Sequence, residues 1–97
     1  MAQVAEESQT RVRIDQYLEY TIQAWQGIPT VAAEWDSWDE AARFTFVVDW
    51  AVPNDRLQQL RQWADEGHLT STQRSRYEKL LRLVSRHRPT LDRLLAD

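Results

Sequence analysis

A small all-α bundle of four to five helices with a C-terminal αα-hairpin is the fold that three features of this 97-residue sequence predict. Gly27 and Gly67 are its only glycines and it has three prolines, too few turn formers for an all-β chain. Apolar residues recur at helical spacing over most of the length, and residue patterns that start and stop helices punctuate the same stretches. Residues 1–9 are polar and expected to be flexible. Residues 10–97 read as one helical domain, which is all that a chain of this length accommodates.

The first helix is expected from about Thr10 to Gln26. Ile14, Tyr17, Leu18, Thr21, Ile22 and Trp25 share one arc of a helical wheel, and Asp15, Gln16, Glu19, Gln23 and Gln26 share the other. Gly27 is placed to end it as a left-handed cap, with Pro29 preventing continuation. A connection over 28–37 carries Trp35. Ser37-Trp38-Asp39-Glu40 then reads as a capping box, in which the Ser hydroxyl accepts from the third helical amide and the Glu reaches back.

The segment that follows, 41–52, is apolar almost all round its wheel. Trp38, Ala41, Phe44, Phe46, Val47, Val48 and Trp50 leave little polar surface, the pattern of a helix buried on all sides, in a bundle or against another chain. By propensity Phe44–Val48 also suits a strand, but a lone strand has nothing to pair with and the capping pattern favours helix. Pro53-Asn54-Asp55 is expected to break the chain and start a third helix over 54–66, with Leu57, Leu60, Trp63 and Ala64 on its inner face and Gly67 at its end. Thr70 and Gln73 form a second capping box opening a helix to about Arg86, whose inner stripe is Tyr77, Leu80, Leu81 and Val84. Pro89 is expected to kink or restart the chain, and residues 90–96 give a last short helix with Leu91, Leu94 and Leu95 inward.

Charge is unevenly divided. Residues 1–50 hold three Arg against nine carboxylates; residues 51–97 hold nine basic against six acidic residues, for a net −3 overall. Glu34, Asp36, Asp39 and Glu40 surround the start of the apolar helix, where they favour the positive helix end; they lack the glycine turn and spacing of a calcium loop. There is no cysteine, so no disulfide or thiolate chemistry, and His68 and His87 alone do not make a zinc site. His68 is placed to ease the dipole at the end of the third helix, and His87 borders an apolar stripe. No nucleophile elbow, phosphate loop, HExxH or Rossmann glycine pattern occurs. The expectation is a non-enzyme without cofactor or metal. No apolar run reaches the ~18 residues of a membrane span, and no signal-peptide pattern is visible at the N-terminus, so a cytoplasmic protein is expected.

Leu57 to Thr70 (LQQLRQWADEGHLT), followed by Arg76 to Leu81 (RYEKLL), resembles the helix, G-x-L-T turn and helix pattern of small helical bacterial proteins, some of them encoded beside toxins as antitoxin-like partners. The resemblance covers less than a third of the chain. It implies helical architecture and a partner-binding role and transfers no functional residue.

The leading functional expectation is therefore a small bacterial protein-interaction subunit, regulatory, adaptor or antitoxin-like, that forms a homodimer or binds another protein. Five tryptophans exceed the about two or three large rings that so small a core holds. Trp35, Trp38, Phe46 and Trp50 are the candidate interface, with Leu83, which points away from the inner stripe of its helix. The alternative is a nucleic-acid-binding regulator using Arg74, Arg76, Lys79, Arg82 and Arg86, a basic face opposite that stripe; the acidic overall balance opposes it.

Overall fold

The structure, a computed structural model, describes residues 2–96, with side chains described over 8–96. Nearly every described residue is helical and no strand occurs among them. The elements are α1 (Ala2–Gln26), α2 (Ile28–Glu34), a 3₁₀ turn (Trp35–Ser37), α3 (Glu40–Asp49), α4 (Ala51–Asp65) and α5 (Ser71–Ala96). Three of these are long, α1, α4 and α5, and they form the body. The expected bundle of four to five helices is thus a three-helix body carrying two short helical segments, α2 and α3.

α1 is the central element. Ile14, Leu18, Thr21, Ile22 and Trp25 are all buried, as their spacing requires, and α1 packs against both α4 and α5. The core joins them to Ile28, Trp50, Leu57, Leu60, Tyr77, Leu80, Val84 and Leu91. Helix α1 begins ahead of Thr10; of residues 1–9, expected to be flexible, the side chains of 1–7 lie outside the described set. Three long helices with few cross-layers make an elongated particle of 53 × 23 × 17 Å. Its radius of gyration, 15.6 Å, exceeds the ~12.5 Å usual for a chain of this length.

Both capping features of the α4–α5 connection form as expected. Gly67 takes φ +78°; its N–H donates to Ala64 O at 3.1 Å and the His68 N–H donates to Trp63 O at 2.9 Å, the two bonds of a Schellman motif. Thr70 N–H donates to Gln73 Oε1 at 3.0 Å and Gln73 N–H donates to Thr70 Oγ1 at 3.1 Å. The Gln73 amide also donates to Arg11 O and Asp15 Oδ1, at 3.0 and 2.9 Å. One buried side chain thereby caps α5 and ties it to α1.

Four local expectations are corrected. Gly27 is right-handed, φ −79° and ψ −12°. Its amide donates to Gln23 O and its carbonyl accepts from Val31 N, so helical bonding runs through it, and Pro29 sits in the first turn of α2, where a missing N–H costs nothing. Ser37 does not cap α3: its hydroxyl donates back to Glu34 O. Asp39 caps instead, accepting from Ala42 N at 2.8 Å, because its carboxylate meets the positive helix end with more charge than a hydroxyl. Pro53 does not start a new helix after a break. α4 begins at Ala51, and buried Pro53 lies in its first turn, where an amide proton is dispensable.

Finally, α5 passes through Pro89 without restarting. The proline costs about 3 kcal/mol in a helix interior. Buried Leu91 and Leu94 beyond it return about 1.5–3 kcal/mol each, and both Pro89 and Ser85, whose carbonyl loses its donor, face solvent.

Candidate protein interface

The apolar segment settles as helix, with Phe44–Val48 inside α3. It is attached to the body by one side only. Phe46 and Trp50 face inward and join a chain of rings: Trp25 to Trp50 at 5.2 Å and near-perpendicular, Trp50 to Phe46 at 5.7 Å, Phe46 to Trp35 at 5.7 Å edge-on, and Trp38 against both Trp35 and Phe46. These are the offset and edge-to-face arrangements that ring quadrupoles favour. Arg43 reinforces the attachment: its Nε–H donates to Trp35 O at 3.0 Å and its guanidinium lies 5.5 Å over the Trp35 ring.

The other side of α3 is open. No residue of α3 is buried within the chain, so the first of the two expected settings, the middle of a bundle, is not the one this helix has. Phe44 is 70% exposed, Val48 53% and Val52 45%. Ala41, Phe44 and Val48 recur at i, i+3 and i+7 and make one apolar ridge. A groove of about 870 Å³ runs along one flank, between α3 and the end of α5, lined by Glu40, Phe44, Val47 and Leu95 among others. A shallower depression of about 590 Å³ on the other flank is lined by Trp38, Asp39, Thr45, Phe46 and Asp49.

The residues expected to form the interface divide. Trp35 and Trp50 are buried, at 6% and 8% exposure, and are the floor beneath the site. Trp38 and Phe46 are half-buried at its edge. Leu83 is half-buried on α5 and packs against the core. Sequence reasoning missed Phe44, Val48 and Val52. The signal was present: Phe46 and Trp50 fall on one side of the wheel, Phe44 and Val48 on the other, and a two-sided apolar helix buries first the side with the larger rings.

The expected basic face also divides. Arg76 lies 3.8 Å from Asp15, and Arg74 donates to Ala64 O at 3.5 Å, so both are engaged within the fold. Lys79, Arg82 and Arg86 are exposed on the outward side of α5, while Arg88 stacks over Trp25. Burial pushes the Tyr77 phenol above its usual pKa of 10.0. His68 meets Glu66 at 3.1 Å on the surface at the end of α4. Among the described residues no group of three or more His, Cys, Asp or Glu is placed to hold a metal, and no helix is long and apolar enough to cross a membrane.

Compared with protein-family models, with curated proteins and with solved structures, the chain matches none.

Proposed function

We propose that this chain is a small non-enzymatic interaction subunit of the bacterial cytoplasm, regulatory, adaptor or antitoxin-like, that engages a partner protein through the outer face of α3. In this reading α1, with α4 and α5 packed against it, is the scaffold, and the ring cluster of Trp35, Trp38, Phe46 and Trp50 is the rigid floor that holds the face. The observation that carries the reading is the exposure of Phe44, which lines a groove, and of Val48 on the same face of α3, with Val52 exposed at the start of α4. Aromatic and branched side chains left together in solvent are what a protein contact covers.

The test is capture of partners from the native host by the tagged chain, with nuclease added, comparing wild type with F44D/V48D. A stoichiometric protein retained by wild type and lost by the variant is the expected result. Equal retention by both would remove α3 from the reading.

A second reading, a nucleic-acid-binding regulator, is supported by Lys79, Arg82 and Arg86, which form an exposed row about 10 Å long at 1.5 Å per residue. Binding of duplex DNA or RNA that weakens steeply with salt, and is lost in K79E/R82E/R86E, would favour it.

A further inference from the structure

We infer that the outer face of α3 receives a basic amphipathic helix of another protein rather than a second copy of this chain. The inference rests on the reading of α3 as a docking face and adds the chemistry of the occupant.

The charges around the ridge are predominantly acidic, with Arg43 beside Glu40 in the groove as the one cation among them. Glu40 lines the groove on one flank, and Asp39 and Asp49 line the depression on the other. Asp36 is exposed in the turn just before. The only cation between residues 34 and 50 is Arg43, whose guanidinium is held by the Trp35 carbonyl and ring. An apolar ridge between two carboxylate-bearing flanks is complementary to a helix with an apolar stripe flanked by Lys or Arg. Ala41, Phe44 and Val48 extend over about 10 Å, so they match anchors on two turns of such a helix.

Self-pairing meets the opposite sign. An antiparallel α3–α3 contact centred on Phe44 sets Asp39 of one copy opposite Asp49 of the other; a parallel contact sets each carboxylate opposite itself. Like charges at a contact are repulsive in either register. A head-to-tail contact with the basic row of α5 fails differently. The outward positions Ser75, Lys79, Arg82, Arg86 and Arg93 carry no large apolar side chain to cover Phe44. Nucleic acid and anionic lipid share the sign of the flanks.

The experiment uses the full chain and two synthetic helical peptides of about 14 residues, long enough for four turns. Both carry Leu at i, i+3, i+7 and i+10; one has Lys on both flanks of the stripe and the other has Glu. Binding is followed by fluorescence anisotropy, and self-association by light scattering. The Lys peptide is expected to bind about tenfold or more tightly than the Glu peptide, and to weaken severalfold as salt rises from about 50 to about 500 mM. F44D should abolish its binding, and E40Q/D49N should weaken it about threefold or more with the helical circular dichroism unchanged.

Equal binding of the two peptides overturns the basic occupant while leaving the docking face intact. A dimer that F44D dissociates, with no peptide bound, overturns it in favour of a second copy and also leaves the docking face intact. Absence of peptide binding together with a monomer indifferent to F44D and to V48D overturns both the inference and the reading beneath it.

Discussion

Helices α3 and α5 are both rich in apolar side chains, and the fold treats them in opposite ways. α5 gathers Tyr77, Leu80, Val84, Leu91 and Leu94 on one stripe and buries all of them. α3 spreads its apolar residues around the wheel and buries none of them completely, leaving Phe44 70% exposed. A helix at the edge of a three-helix body has one side to give to the core. Whatever apolar surface lies on the far side stays in water unless another molecule covers it. The lesson is that apolar content predicts burial only when it is confined to one arc.

The largest test of this contrast sets L80A against F44S in chemical denaturation. Leu80 is fully buried, so its truncation should cost about 2–5 kcal/mol through lost burial and the cavity left behind. F44S removes a larger side chain and should change stability by only about 0.5 kcal/mol, because Phe44 packs little in the isolated chain. A similar loss in the two variants would mean that Phe44 is covered in solution.

Next in size are the caps. Q73A removes the capping partner of Thr70 and the link to Arg11 and Asp15 at once, and should lower stability by about 2 kcal/mol. D39A should cost α3 about 1 kcal/mol, whereas S37A, at a hydroxyl that makes one exposed bond, should be nearly silent. Thermal melts of the three variants would rank them.

The two glycines should respond with opposite signs. G67A forces a Cβ into a left-handed backbone and should destabilise by about 1 kcal/mol. G27A places a methyl at a right-handed position whose nearest neighbours are carbonyl oxygens at 3.5 and 3.6 Å. It should stabilise by about 0.5–1 kcal/mol by restricting the unfolded chain.

The smallest effect lies at high pH. Tyr77 has its pKa raised in the fold, chiefly by burial, so the unfolded chain loses this proton first. The stability tied to the neutral phenol is complete below about pH 10 and is lost as pH rises through the folded value. Y77F should flatten that alkaline decline and leave the neutral-pH pH dependence unchanged in denaturation curves collected across the range.

Much of this was legible in the residues. Spacing alone turns Ile14, Leu18, Ile22 and Trp25 inward, and all are buried, because a strict 3.6-residue stripe has one orientation that hides it. The Gly67 turn and the Thr70–Gln73 box were legible because both motifs are closed by hydrogen bonds between residues a few positions apart. Gly27, Ser37, Pro53 and Pro89 are not legible in this way, for the converse reason. A glycine or proline permits a break, and whether one occurs depends on packing beyond it. Leu91 and Leu94 keep α5 whole through Pro89, and buried Pro53 and Leu57 hold α4 directly after Trp50. The aromatic excess points to residues 35–50, where Trp35, Trp38, Phe46 and Trp50 form one ring cluster. It did not distinguish floor from face, since Trp35 and Phe44 differ in exposure only after α3 has chosen which side to turn inward.

What the sequence by itself determined is therefore local and periodic: an all-helical chain, the inner stripes of α1 and α5, the Schellman turn at Gly67, the cap at Thr70, and an acidic first half joined to a basic second. These follow from interactions that act within about one or two helical turns. Tertiary packing alone decided that α1 is the central helix, that Pro89 is absorbed, that Gln73 bridges α5 to α1, and that Phe44 and Val48 face solvent. Each of those depends on which of two competing faces gains more contact with residues distant in the chain. That comparison exists only once the three long helices have met.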